Sequence, residues 1–144
     1  MLTPADMPMG YVLVISTPDR VRIEDANDPK LFIDGGIDAT GAVLFDIRAE
    51  HEDGTRGGVS GKVLFGFLVR HFGAALIAIR GFWTDGPNLV AFNRLTALGW
   101  SQHDAAGGTW TGERANDHGF TVAVCEVAIG STGYFGWVEA RFTR

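Results

Sequence analysis

The feature that most limits how this chain folds is a nearly unbroken apolar run, AALIAI at Ala74–Ile79, brought to a stop by Arg80. A short apolar run between Gly73 and a charged residue reads as a buried strand. Behind it come the turn-rich GFWTDGPN, the periodic segment LVAFNRLTAL, and then SQHDAAGGTWTGERANDHGF. That order implies a strand followed by two helical segments, with polar residues gathered where the strand stops.

Upstream of the run, short strands alternate with turns. Tyr11–Ser16 (YVLVIS) is β-branched and almost wholly apolar, as expected for a strand covered on both faces. Arg20–Asp25 alternates, with Val21 and Ile23 on one face and Arg20, Arg22 and Glu24 on the other. DANDP turns the chain, Leu31–Asp34 makes a short strand, and Gly35-Gly36 permits a tight reversal or a bulge. In Ala42–Glu50, Val43, Phe45 and Ile47 again face a core. These segments predict an antiparallel meander, preceded by a loose lead-in at residues 1–10 and followed by a polar loop, His51–Gly58, long enough to move.

Ser60 is positioned to cap a helix over Gly61–Phe72, whose apolar stripe is Val63, Leu64, Phe67, Leu68 and Phe72, with Gly73 ending it. Asn88 offers the next cap, for a helix that Gly99 stops. Ser101 with Asp104 resembles a capping box opening a third helix, which Gly119 ends. TVAVCEVAI and YFGWVEARF, joined by GSTG, form a hairpin. The fold class is therefore α+β: a mainly antiparallel sheet with two or three helices packed on one face. At 144 residues the chain fits a single globular domain.

Composition removes several function classes. A net charge of −5 argues against a broad nucleic-acid-binding surface, which works by neutralising phosphates with Lys and Arg. A single cysteine, Cys125, excludes an internal disulfide and a cysteine-rich zinc site. The four histidines occur singly, without HxxxH or HExxH spacing, so no metal site is predicted. GxGxxG, P-loop and GxSxG motifs are lacking, which removes the main sequence support for Rossmann hydride transfer, P-loop chemistry and α/β-hydrolase catalysis and leaves the cofactor unknown. No signal peptide and no apolar run long enough for a membrane helix occur, so the expected location is the cytoplasm, or outside it by a dedicated secretion machine.

The candidate site centres on Arg80. A guanidinium at a strand end, just before Gly81, Trp83 and Asp85, offers a fixed fork to phosphate or carboxylate, or simply pairs with Asp85. Asn88 and Asn93 lie on the next helix, where Asn88 also serves as a cap. Thr109 and Thr111 sit between Gly108 and Gly112, open to a ligand or to packing against the sheet. His118, near a helix end, suits a general base or an interaction with the helix dipole. Glu139 falls inside an otherwise apolar strand.

An Arg, a hydroxyl-rich segment and a Glu in this order (Arg80, Thr109/Thr111, Glu139) resemble the set that ADP-ribosyltransferases use to hold the dinucleotide phosphate, shape the pocket and stabilise an oxocarbenium-like centre. The resemblance implies those roles for Arg80, the Thr pair and Glu139; it departs in placing the Thr pair on a helix rather than a strand. From Arg80 onward, Arg-Gly-x-Trp, Asn88-Leu89-x-x-Phe92-Asn93 and Thr109-Trp110-Thr111-Gly112 resemble C-terminal toxin domains of bacterial polymorphic (Rhs-type) effectors. This second resemblance covers residues 80–120 and implies an effector neutralised by a cognate immunity protein. Two functions are expected from these readings: a toxin-like enzyme acting on a nucleotide or nucleic-acid-related substrate, or a non-catalytic binding module, an immunity-type protein included.

Overall fold

The computed structural model describes residues 1–49, 51–55, 57–59, 63–83, 97, 113–129 and 135–144. They form two compact units, Met1–Ile77 and Ala78–Arg144. The chain is α+β with antiparallel strand pairing, as the alternating segments require. Among the described residues no helix is long and apolar enough to cross a membrane.

The first unit is the expected meander: β1 (Tyr11–Thr17), β2 (Arg20–Asp25), β3 (Phe32–Ile37) and β4 (Ala42–Arg48), each antiparallel to the next. Val21, Ile23, Ile33, Val43 and Phe45 line its buried face. Helix α1 (Leu64–Phe72) buries Leu64, Phe65, Phe67, Leu68, His71 and Phe72. Its stripe keeps Leu64, Phe67, Leu68 and Phe72 of the predicted set and adds Phe65 and His71, while Val63 precedes the helix and is only half-buried. Val63 stands at the N-cap without a side-chain cap bond, while the expected cap Ser60 lies outside the described residues. Gly73 ends the helix at φ 58°.

Three local expectations are corrected. Tyr11–Ser16 is not covered on both faces: Val12 and Val14 are 47% and 50% exposed. Among the described residues β1 pairs only with β2, so its outward face is open, a difference that an unbroken apolar run does not encode. Gly35 and Gly36 make neither a reversal nor a bulge but lie inside β3, opposite Val21 and Arg20 on one side and Phe45 and Leu44 on the other. A Cβ at Gly35 would come 2.7 Å from Leu68 Cδ2, so the bare backbone there is what seats α1 on the sheet. Finally, Gly73–Ala75 forms a 3-10 turn in place of a strand start, with Leu76 buried and Ile77 exposed.

The second unit contains β5 (Ala78–Trp83), helix α2 (Glu113–Asp117), β6 (Thr121–Ile129) and β7 (Phe135–Thr143). β7 pairs antiparallel with β6 and with β5, giving the predicted hairpin a third strand. β5 does not stop at Arg80 but runs on through Phe82 and Trp83, because β7 supplies hydrogen-bonding partners and aromatic residues favour the pleat. Gly119, at φ 82°, ends the turn after α2 as expected, with Phe120 N–H donating to Ala115 O. The helix expected over Asn88–Gly99 and the Ser101/Asp104 start of the third lie outside the described residues.

Candidate functional site

In the second unit, alternation along β5 leaves Ile79 wholly buried and Arg80 exposed. Directly opposite Ile79 on β7 is Phe142, also buried; directly opposite Arg80 is Arg141. Glu139 is the partner of Phe82 on one side and of Glu126 on the other. Position 139 is thus the diagonal neighbour of position 80 across adjacent strands, a separation of roughly 7–8 Å in an antiparallel pair. The register sets positions 80 and 139 near each other, although they are 59 apart in sequence (139 − 80 = 59). Trp83 ends β5 opposite Val138. His118 is exposed in the turn after α2, where its N–H donates to Ala115 O. Asn88, Asn93, Thr109 and Thr111 lie outside the described residues.

The first unit holds a second constellation that sequence reading missed. Asp25, at the end of β2, is 7% exposed, and its carboxylate accepts from three backbone N–H groups. Asn27 N–H (2.7 Å) and Asp28 N–H (3.2 Å) donate to Oδ1, and Gly58 N–H (2.8 Å) donates to Oδ2. One buried acid therefore forms the Asx turn of the DANDP segment and pins the far end of the 51–58 loop to it. Gly57 and Gly58 fit because they lack a Cβ: added carbons would lie 1.9 Å from Leu31 Cδ1 and 2.5 Å from Asp25 Oδ2.

At the other end of the loop, His51 Nδ1 lies 2.8 Å from Asp28 Oδ2, and Lys30 N–H donates to Asp28 Oδ1 at 3.1 Å. Those two hydrogen bonds, the imidazole's first, hold the Asp28 carboxyl below its ordinary range. Asp25 is likewise held down, chiefly by the Asn27 N–H, against the opposing effect of burial. An ionised carboxylate only accepts, so the neutral imidazole carries its proton on Nδ1 and presents Nε2 as an acceptor.

His51, Tyr11, Asp25 and Asn27 border a recess of about 250 Å³ together with the backbone of Gly57 and Gly58. Tyr11 Oη donates to Gly58 O at 2.9 Å. With His51 Nε2 as an acceptor beside the Asp25 and Asp28 carboxylates, the recess has the chemistry of a site for a hydrogen-bond donor or a small cation. Among the described residues no cluster of three or more His, Cys, Asp or Glu is arranged to hold a metal ion. The local signals were visible, in the Asp/Asn turn and the Gly57-Gly58 pair. Their meeting across 23 and 33 residues was not.

No protein-family model matches the chain, and no curated protein matches it. Among solved structures it is similar to the crystal structure of the acetyltransferase of GNAT family from Streptococcus pneumoniae. That similarity has a TM-score of 0.46 at 12% identity, over 89% of this chain and 68% of the other.

Proposed function

We propose that the chain is a toxin-like effector domain acting on a nucleotide-class, phosphate-bearing substrate at the β5/β7 ledge of the second unit. The observation that carries this reading is the register that sets Arg80 opposite Arg141 and diagonal to Glu139. Two arginine positions directly opposite each other on neighbouring strands suit a phosphate-bearing ligand, because the guanidinium fork matches phosphate geometry. Under this reading Glu139, one pleat repeat along β7 from Arg141, would stabilise positive charge developing beside the bound phosphate. Trp83, Asn88, Asn93, Thr109, Thr111 and His118 would complete the ligand surface, and a cognate immunity protein would cover it.

The test is growth. Inducible expression in a bacterial cytoplasm should arrest growth, and Arg80→Ala and Glu139→Gln should each relieve the arrest while leaving the circular dichroism spectrum intact. Abundant, harmless wild-type protein would sink the reading.

The second reading, a non-catalytic binding module, is favoured by the His51 recess. Its imidazole acceptor and ionised surroundings suit a hydrogen-bond-donating or cationic group on a partner. Under that reading expression is harmless, a stable partner co-purifies, and His51→Ala releases it whereas Arg80→Ala does not.

A further inference from the structure

His71 is 4% exposed, and both of its ring nitrogens are engaged. Leu2 N–H lies 3.2 Å from Nδ1, and Nε2 lies 2.7 Å from Thr17 O at the end of β1. A backbone N–H only donates and a carbonyl only accepts, so the ring is neutral, with its proton on Nε2. The residue it grips is itself docked: Leu2 is 2% exposed between exposed Met1 and Thr3. A second bond holds the same residue, from Ser16 Oγ to Leu2 O at 2.6 Å. The β1 bulge between Leu13 and Ile15 makes that bond possible, because it shifts the register so that Ser16 pairs with Val21 of the buried face. Farther along, Asp6 pairs with Arg70 and also accepts from Thr3 N–H at 2.8 Å.

We infer that His71 and the segment Met1–Asp6 form a pH-operated clasp, closed while the imidazole is neutral and opened when it takes a second proton. Protonation places N–H on Nδ1, where it meets the Leu2 N–H donor for donor. That bond is lost, and a charge is left in a buried place. Burial, countered in part by the Thr17 and Arg20 backbone acceptors, depresses the basicity of the ring.

Among the described residues, the charged groups on the elements around the ring include Asp6, Asp19, Arg20 and Arg70, with Arg22, Glu24 and Asp25 farther along β2. Asp6 is paired with Arg70 and Arg20 with Asp34, while Asp19 accepts from Thr17 Oγ1. Asp6 is held below the ordinary carboxylate range, first by the Thr3 backbone N–H, so it stays ionised in the window where His71 titrates. The far end of the segment therefore remains tethered, and the motion is that of a flap carrying Leu2 out of its seat. Acid uncovers whatever surface Leu2 fills.

The experiment is a pH titration from 7.5 to 5 by NMR on the whole chain, following the Leu2 methyl groups, the His71 ring and the Val21 and Ile33 methyl groups. Leu2 should move from buried to random-coil shifts with the same midpoint as the His71 ring, below 6.5, while Val21 and Ile33 stay folded. His71→Gln keeps a donor and an acceptor without titrating, and should hold Leu2 docked at both ends of the range. Should that variant not fold, Leu2→Ala decides: docking and protonation are reciprocal, so weaker docking must raise the His71 midpoint. The clasp is refuted if Leu2 stays docked through the titration of the ring, if Val21 and Ile33 melt together with Leu2, or if Leu2→Ala leaves the midpoint where it was.

Discussion

Gly41 closes the β3–β4 turn at φ +82°, with its N–H donating to Asp38 O and its carbonyl accepting from Ile77 N–H at 2.8 Å. Replacing it with alanine combines three costs. A non-glycine residue in the left-handed region costs about 1–2 kcal/mol. The new Cβ would lie 2.6 Å from the Ala75 carbonyl oxygen and 3.1 Å from two Ile77 side-chain carbons. Backbone must yield to that contact, and the Ile77 hydrogen bond, worth about 0.5–1.5 kcal/mol, is what the movement breaks. Gly41→Ala should therefore destabilise the first unit by about 2–4 kcal/mol in total.

Gly54 provides the control. It has nearly the same backbone angle, φ +83°, but nothing within 4 Å of an added Cβ. Gly54→Ala should cost only the conformational part, about 1–2 kcal/mol or less. The assay is urea unfolding followed through the amide exchange of Val21, Ile33 and Val43. Trp83, Trp100, Trp110 and Trp137 all fall after Ile77, so tryptophan fluorescence would report on the other unit. If Gly41→Ala costs no more than Gly54→Ala, the contact with Ala75 and Ile77 does not constrain the turn and the reasoning fails.

Three further outcomes are expected. Phe65→Ala, at a fully buried position of α1, should cost the first unit about 3–5 kcal/mol by the same urea assay. Asp25→Asn keeps one acceptor oxygen but faces a backbone N–H with an amide donor, so it should cost about 1–3 kcal/mol and raise amide exchange at Gly58 and Asn27. Stability of the first unit should fall on acidification in two stages. His71, depressed by burial, gives stability that is complete above its unfolded value of 6.5 and lost as pH drops through its lower folded value. Asp25, Asp28, Asp38 and Asp53 are depressed by hydrogen bonds, and their contribution is present above 3.8 and lost below it. A urea midpoint that is flat from pH 7 to 5 would contradict the first stage, and one that rises below pH 3.8 would contradict the second.

Strands β2 and β4 and the inner face of α1 were legible because their cause is local. Residues two apart in a strand, or three and four apart in a helix, share a face whatever the rest of the chain does. Hence Val21, Ile23, Val43, Phe45, Leu64 and Leu68 are buried where periodicity puts them. The same logic failed for Tyr11–Ser16, because an apolar run states an affinity for cover without saying whether a neighbour supplies it. It failed for Gly35 because glycine permits turn, bulge and close approach alike, and α1 selects among them.

By itself, then, the sequence determined the order of turns and strands in the first unit, the buried faces of β2, β4 and α1, and the glycine endings at Gly73 and Gly119. Only the tertiary structure decided that β5 continues past Arg80, that Glu139 lies diagonal to it, that Asp28 holds His51, and that His71 grips Leu2. The physical reason is range. Periodicity and turn chemistry act over a few bonds, whereas these pairings need a register or a hydrogen bond between segments whose separation in the chain carries no trace of the partner.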